Sequence, residues 1–346
     1  MQYNFMNDYN EGAHERILEA ILAANREQDI PYGLDAHCAR ARERILGELD
    51  GADSRVHFLV GGTQANMTFI ASVLRPHQGA IAAETGHINV HETGAVEATG
   101  HKVLALPSGD GKLYAEDVER FAAAHYADCN AEHIVQPGLV YISNPTEIGT
   151  IYNKKELTAL RDVCRRYDMR LYADGARLGC ALAAKGNDLA LADMARLTDA
   201  FTIGGTKMGA LFGEALVLND DTLDRDFRYI LKQRGGMLAK GRLLGIQFET
   251  LFTDGLYYEI ARHAVTLAQR LSDGVAARGY RLFTDSPTNQ IFPILPRELL
   301  ETISKQFGFS FWQRYDAECD VVRFCTSWAA PERAVDALLT MIPESR

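Results

Sequence analysis

Apolar positions along this chain follow two alternating rhythms. Short unbroken runs at 56–60, 80–83, 102–106, 138–143, 169–173, 200–203 and 214–218 have the length and β-rich make-up of buried strands. Between them, 64–74, 88–99 and 116–125 space their apolar residues as helices do. A further helix follows Asn153, whose side chain and Glu156 three residues later form a capping-box signature over Leu157, Leu160 and Cys164. Strands alternating with helices predict a mainly parallel sheet covered on both faces. Ligands of such sheets bind beyond the carboxyl ends of the strands.

The flanks read differently. Residues 14–25 carry Ile17, Leu18, Ile21 and Leu22 at helical spacing, 36–49 repeat the pattern, and 31–35 (PYGLD) form an ordered loop between them. After Asn219 the rhythm changes to helices at 224–234, 243–251 and 256–278, strands at 281–284, 290–294 and 321–326, and a last helix at 330–341. The expected division is a segment plus large α/β domain over 1–245 and a small α+β domain over 246–346.

Composition narrows the function classes. The chain has 346 residues, 47% hydrophobic and 24% charged, as an ordinary globular protein does. A net charge of −10 argues against nonspecific nucleic-acid binding. No apolar run reaches membrane-spanning length and no signal-peptide core opens the chain, so a cytoplasmic protein without a membrane partner is expected. Six scattered cysteines without a CxxC pair point to reduced thiols rather than disulfides or zinc. His87 and His91 have helical metal-ligand spacing, but no third ligand sits nearby, and no metal is expected.

Four strand ends hold the candidate chemistry. Gly61-Gly62-Thr63 precedes a helix, and backbone amides there with a hydroxyl suit a phosphate. The spacing is neither a Walker loop nor a dinucleotide fingerprint, which argues against a nicotinamide dehydrogenase. His87 and His91 follow the run at 80–83, where a histidine can stack on an aromatic ring, act as a base, or simply cap a helix. Asp174 ends an apolar run, where its charge calls for a cationic partner, either a ligand nitrogen or Arg177 within the chain. Lys207, in GGTKMG, ends another; burial there would free its amine as a nucleophile, although alone the stretch also fits a lysine snorkelling from a turn.

In this order the motifs YGLD (32–35), GGTQAN (61–66), HINVHE (87–92), YADGARLG (172–179) and GGTKMG (204–209) resemble the threonine aldolase group of the β-eliminating lyase family, enzymes of fold type I that use pyridoxal phosphate. The resemblance runs from about Asn7 to Thr326. It implies an aspartate aminotransferase-like α/β fold, with a mainly parallel sheet of the seven-stranded type and a smaller C-terminal α+β domain. It implies cleavage of L-threonine or L-allo-threonine to glycine and acetaldehyde. By the same resemblance Lys207 holds the cofactor as a Schiff base, Asp174 keeps its ring nitrogen protonated, and His87 stacks on the ring. Gly62 and Thr63 bind the phosphate, Thr206 adds a donor, and Arg177 and Arg323 grip the substrate carboxylate. His87 or His91 is the base for the substrate hydroxyl, with His87 preferred because it matches the stacked position. Asn7 and Tyr32 match substrate-binding segments, and Lys240 matches a region that supplies positive charge to a phosphate, across the subunit boundary of a homodimer or homotetramer with shared sites.

Three departures accompany the match. Asn7 stands where many members have serine; the loop 143–149 (SNPTEIG) lacks the histidine and asparagine of many members; and Leu238 replaces a family arginine. A β-eliminating lyase on the same scaffold is the rival reading, because the ring-binding residues are shared. A non-catalytic cofactor-binding protein is disfavoured by the presence of Lys207, Asp174 and both arginines.

Overall fold

The computed structural model describes residues 3–345. Its first strand, β1 (Tyr3–Asn4), is only two residues long. The strands β2 (Arg55–Leu59), β3 (Gln78–Ala83), β4 (Val103–Leu106), β5 (Gln136–Ser143), β6 (Arg170–Asp174), β7 (Ala200–Gly204) and β8 (Glu214–Leu218) follow. They form one seven-stranded sheet in the order β2-β8-β7-β6-β5-β3-β4. Only β8 breaks the parallel arrangement, running against both β2 and β7. This is the mainly parallel, helix-covered sheet that the strand–helix rhythm predicts.

Alternate residues of each strand enter opposite cores. Ile81, Val140, Leu171, Phe201 and Val217 pack on one face, and Ala82, Tyr141, Tyr172 and Leu216 on the other. Each large apolar side chain so buried is worth about 1.5–3 kcal/mol, which fixes the register and therefore which residues arrive at each strand end.

The small unit centres on β13 (Cys319–Cys325), flanked by β9 (Gln290–Ile291), β10 (Ile294–Pro296) and β12 (Ser310–Arg314), with β11 (Phe307–Gly308) just before β12. The N-terminus joins it. β1 pairs with β11, and the Cys325 amide donates to the Phe5 carbonyl at 2.8 Å. Phe5, fully buried, packs in the core of this unit. The expected boundary after 245 falls inside the helix Arg242–Leu251, which packs on Ala36–Gly47. There a Cβ on Gly245 would lie 2.5 Å from the Cys38 nitrogen, so glycine permits the close crossing.

Several predicted elements differ. The helix expected over 88–99 is a single turn, His87–Val90, because Thr93 (φ 54°) and Gly94 (φ 70°) turn the backbone left-handed. The N-terminal helix is Glu15–Ala23; Ile17 is buried, but Leu18 and Leu22 are 47% and 77% exposed. At 281–284 there is no strand, only a bridge between Leu282 and Pro293. The run at 290–294 is split into β9 and β10 around Phe292 and Pro293. The helix Arg297–Ser304 and strand β12 had no clear signal: Phe311, in β12, is 60% exposed, and half-exposed strands lack a strong apolar pattern. The capping box at Asn153 and Glu156 is present as read.

Candidate active site

The parallel strands all end at one edge of the sheet. Beyond β2 lie Gly62 and Thr63, beyond β3 His87, beyond β5 Glu147, at the tip of β6 Asp174, and beyond β7 Lys207. Because β8 is reversed, its first residue rather than its last reaches this edge: Glu214 pairs with Leu59 on one side and Gly204 on the other. Two adjoining cavities open here. One, of about 340 Å³, is lined by Gly62, Thr63, Asp174, Thr206 and Glu214. The other, of about 560 Å³, is lined by Tyr9, His91, Phe311, Trp312 and Arg323. Tyr9, His87, Glu147, Arg177 and Lys207 line both and form the seam between them.

A hydrogen-bond chain runs beneath the seam. His87 Nδ1 donates to Glu92 Oε1 at 2.7 Å, and Asn66 Nδ2 donates both to that oxygen (2.7 Å) and to Asp174 Oδ2 (2.8 Å). Tyr141 donates to the same Asp174 oxygen at 2.8 Å, and the Ala176 amide donates to Oδ1 at 2.9 Å. Tyr172 fixes the Asn66 amide by donating to its Oδ1. Ligand-type atoms of His87, Glu92 and Asp174 lie within 4.8 Å of one another, and these hydrogen bonds account for that closeness.

The electrostatics follow from this wiring. Burial opposes charge on Asp174, but the His87 imidazole, the Asn66 hydrogen bond, Lys207 and Tyr141 together hold its carboxyl below the usual range. Burial also opposes charge on His87, yet the Glu92 hydrogen bond and the Asp174 charge raise its pKa. His91 goes the other way: burial, then His87 and Arg323, lower it. Its side chain lies against the His87 ring, 5.5 Å between centroids, and makes no hydrogen bond among the described residues. Lys207 is lowered by burial and by Arg177, which favours the free amine. The snorkelling alternative is not realised: Lys207 lines both cavities.

Arg177 does not pair with Asp174. It grips Asp8 instead, Nε to Oδ2 at 2.6 Å and Nη2 to Oδ1 at 2.8 Å, while Asn289 donates to Asp8 Oδ2 at 2.9 Å. The Asp174 charge is thereby left for the cavity. Arg323 donates through Nη1 to Gln290 Oε1 and through Nη2 to the Met6 carbonyl, both at 3.2 Å, under the Trp312 ring. The helix Gly62–Val73 has no side-chain cap, so its first amides face the cavity unclaimed. The Thr206 hydroxyl accepts from the Gly213 amide at 3.0 Å.

Three expected residues are not brought to the cavities by this chain. Asn7 turns its side chain to its own loop, accepting from the Tyr9 amide at 3.1 Å; its neighbours Asp8 and Tyr9 reach the site instead. Tyr32 lies in a separate crevice with Lys232 Nζ 4.7 Å above its ring. Lys240 is exposed near that crevice, where the Tyr32 amide donates to the Ala239 carbonyl at 3.2 Å. Reading the sequence missed other residues. Asn66 and Glu92 sat within quoted motifs, but their roles depend on crossing between strands. Glu147, which accepts from Ser143 Oγ (2.6 Å) and the His87 amide (2.9 Å), lay in the loop noted only as a departure.

A model of the family described as beta-eliminating lyase matches residues 5–295. The chain belongs to the β-eliminating lyase family. Among curated relatives of the family, the low specificity L-threonine aldolase of Pseudomonas sp. (strain NCIMB 10558) is 31% identical over 96% of this chain and 95% of its own. Among solved structures, the threonine aldolase of Leishmania major is 44% identical, with a TM-score of 0.95 over 98% of both chains. The aspartate aminotransferase of Thermus thermophilus, 16% identical with a TM-score of 0.71 over 99% of this chain and 90% of its own, shares the fold. Among the described residues, no helix is long and apolar enough to cross a membrane.

Proposed function

We propose that this lyase-family chain cleaves a β-hydroxy-α-amino acid, L-threonine or L-allo-threonine, to glycine and acetaldehyde, with pyridoxal phosphate as cofactor. The observation that carries the reading is the pairing of Lys207 and Asp174 at adjacent strand ends on the wall of one cavity. The names of the relatives supply the substrate class.

The residues fit the cofactor on their own chemistry. The unclaimed amides at Gly62 and Thr63 suit a phosphate. An Asp174 carboxylate held charged by a donor set inside the protein requires a cation facing it. The amine of Lys207, lowered by burial, is the nucleophile that an aldehyde needs. When bound, pyridoxal phosphate supplies a ring, protonated opposite Asp174, that takes up the electron pair left on the α-carbon.

The chain's own part is orientation and proton handling. His87, anchored through Glu92, presents its ring at the seam. Arg323 lines the larger cavity and Arg177 lines both, each a guanidinium able to serve as a carboxylate donor. His91, whose pKa is lowered and whose ring makes no hydrogen bond among the described residues, is the better placed of the two histidines to accept the substrate's hydroxyl proton, rather than His87. His87, raised against burial by Glu92 and Asp174, keeps its proton more readily and stabilises negative charge instead. As the hydroxyl O–H pair becomes the aldehyde C=O bond, the Cα–Cβ bond breaks, and the α-carbon later takes up a proton to give glycine. Tyr32 and Lys240 serve the site of a neighbouring copy.

Incubation with L-threonine decides the reaction. Glycine with acetaldehyde supports the proposal; ammonia with a 2-oxo acid would assign elimination. Lys207→Ala should abolish the visible absorption of bound cofactor, and a persistent band would sink the lysine's role.

A further inference from the structure

Glu214 is the buried acid that this chemistry leaves unused. It is 3% exposed and lies on the wall of the smaller cavity with Lys207. Its carboxyl makes no hydrogen bond or ion pair among the described residues, and Oε2 is wholly enclosed without a partner. Buried polar groups are ordinarily satisfied, so an unsatisfied one at a site needs a reason. Its position is fixed. The Gly205 and Thr206 amides both donate to the Gly213 carbonyl, at 2.9 and 3.1 Å, and the Gly213 amide donates back to Thr206 Oγ1. Lys207 and Glu214 thus leave the two arms of one pinned turn toward one cavity. The charged groups acting on Glu214 are Lys207, Asp174 and Arg177, and the phenols of Tyr172 and Tyr257 feel it from the neighbouring strand and helix.

We infer that Glu214 is the proton partner of Lys207, the two sharing one proton that passes between carboxyl and amine as Lys207 changes role. The inference rests on the reading above in that Lys207 carries the cofactor. Burial pushes the Glu214 carboxyl well up, and burial with Arg177 pushes the Lys207 amine down, so the two proton affinities approach each other and one proton is shared between them. With the proton on Glu214 the amine is free, and that state is the nucleophile. In the other state the Glu214 O–H bond breaks, its pair stays on oxygen, and the Lys207 lone pair takes the proton. No net charge enters the cavity. Lys207, once displaced by substrate, is then an ammonium able to protonate the product α-carbon; Glu214 supplies that proton and is restored when the hydroxyl proton taken up by His91 returns to it through solvent. With no direct hydrogen bond in place, transfer runs through rotation of the lysine chain or one bridging water.

The test follows uptake of pyridoxal phosphate by the full chain stripped of cofactor, read as the rate at which the visible band appears at each pH. Uptake requires neutral Lys207. In Glu214→Gln, which cannot place a negative charge beside the ammonium, the midpoint should fall by about one pH unit, and Glu214→Asp should recover part of the shift. An unchanged midpoint overturns the inference. Should Glu214→Gln not fold, infrared spectra of Glu147→Gln, free of the other raised carboxyl at the site, should show a buried neutral carboxylic acid persisting at neutral pH and ionising on the alkaline side. Absence of that band also overturns it. Neither readout depends on which amino acid is cleaved. A chain that shows the shift yet releases no glycine keeps this inference and loses the proposed reaction.

Discussion

Asp174 and His87 illustrate how little a side chain's chemistry depends on itself alone. Against burial, His87, Asn66, Lys207 and Tyr141 hold the Asp174 carboxyl below its usual range, and Glu92 and Asp174 hold the His87 ring above its own. Four residues further along the chain, His91 has no carboxylate partner among the described residues and is lowered instead. The base role therefore predicts a pH arm. Cleavage should rise with pH through a midpoint below the ordinary histidine value of about 6.5, since only neutral His91 accepts a proton. His91→Gln should lower kcat by roughly 10²–10⁴-fold and flatten that arm; pH–rate profiles of the unaltered chain and the variant check it. Glu92→Gln should leave the fold in place but lower the His87 pKa, measurable by NMR titration of the ring, because it removes a charge 2.7 Å from Nδ1. Lys207 and Asp174 were legible in the sequence because each is a polar residue closing an apolar run. Asn66 was not, nor was its link to Glu92, since the partners of Asn66 are 26 and 108 positions away along the chain and no local pattern records such crossings.

At the scale of elements, one reversed strand accounts for the main omission. Searching the carboxyl ends of strands finds Gly62, His87, Asp174 and Lys207. It passes over Glu214, which opens its strand, and nothing within 214–218 announces that β8 runs backwards. Loop 88–99 was misread because Val90, Val96 and their neighbours keep helical spacing while left-handed Thr93 and Gly94 do not permit a helix. The N-terminal segment shows the converse: Asp8 carries no local signal, yet it orders Arg177 at the start of the helix Leu178–Ala183. Asp8→Asn leaves Arg177 buried with its charge uncompensated and should cost about 3–5 kcal/mol, read as a fall in urea midpoint. Its sign with pH is set by direction. Arg177 holds the Asp8 carboxyl below its ordinary value against burial. This contribution is therefore fully present above the unfolded carboxylate pKa of about 3.9 and is lost as pH falls through the lower folded value. Asp8→Asn should lack that acid limb.

For the whole molecule, the cavities are assembled from one sheet edge, the N-terminal segment and the small unit, while Tyr32 and Lys240 form a separate surface patch. If that patch completes a neighbour's site, Lys207→Ala and Lys240→Ala chains, each impaired alone, should regain activity when mixed and allowed to exchange subunits. Mixtures no more active than their parts would confine each site to one chain. The large sheet was readable because its buried strands carry continuous apolar runs. The small unit was only partly so, since β11 and β12 are short or half exposed and borrow their definition from β1 and β13.

That pairing of β1 with β11 bears on synthesis of the protein. Tyr3 meets Phe307, and Asp8 is held by Asn289. The strand Tyr3–Asn4 therefore cannot pair until Phe307–Gly308 has been made. A chain halted after β8 already carries Asp174, Lys207 and the Gly62–Thr63 turn proposed for the cofactor. It lacks Arg323, the proposed carboxylate donor, and the Asn289 contact that holds Asp8. On those proposed roles, substrate recognition waits for the small unit, and products truncated before it should not turn over amino acids.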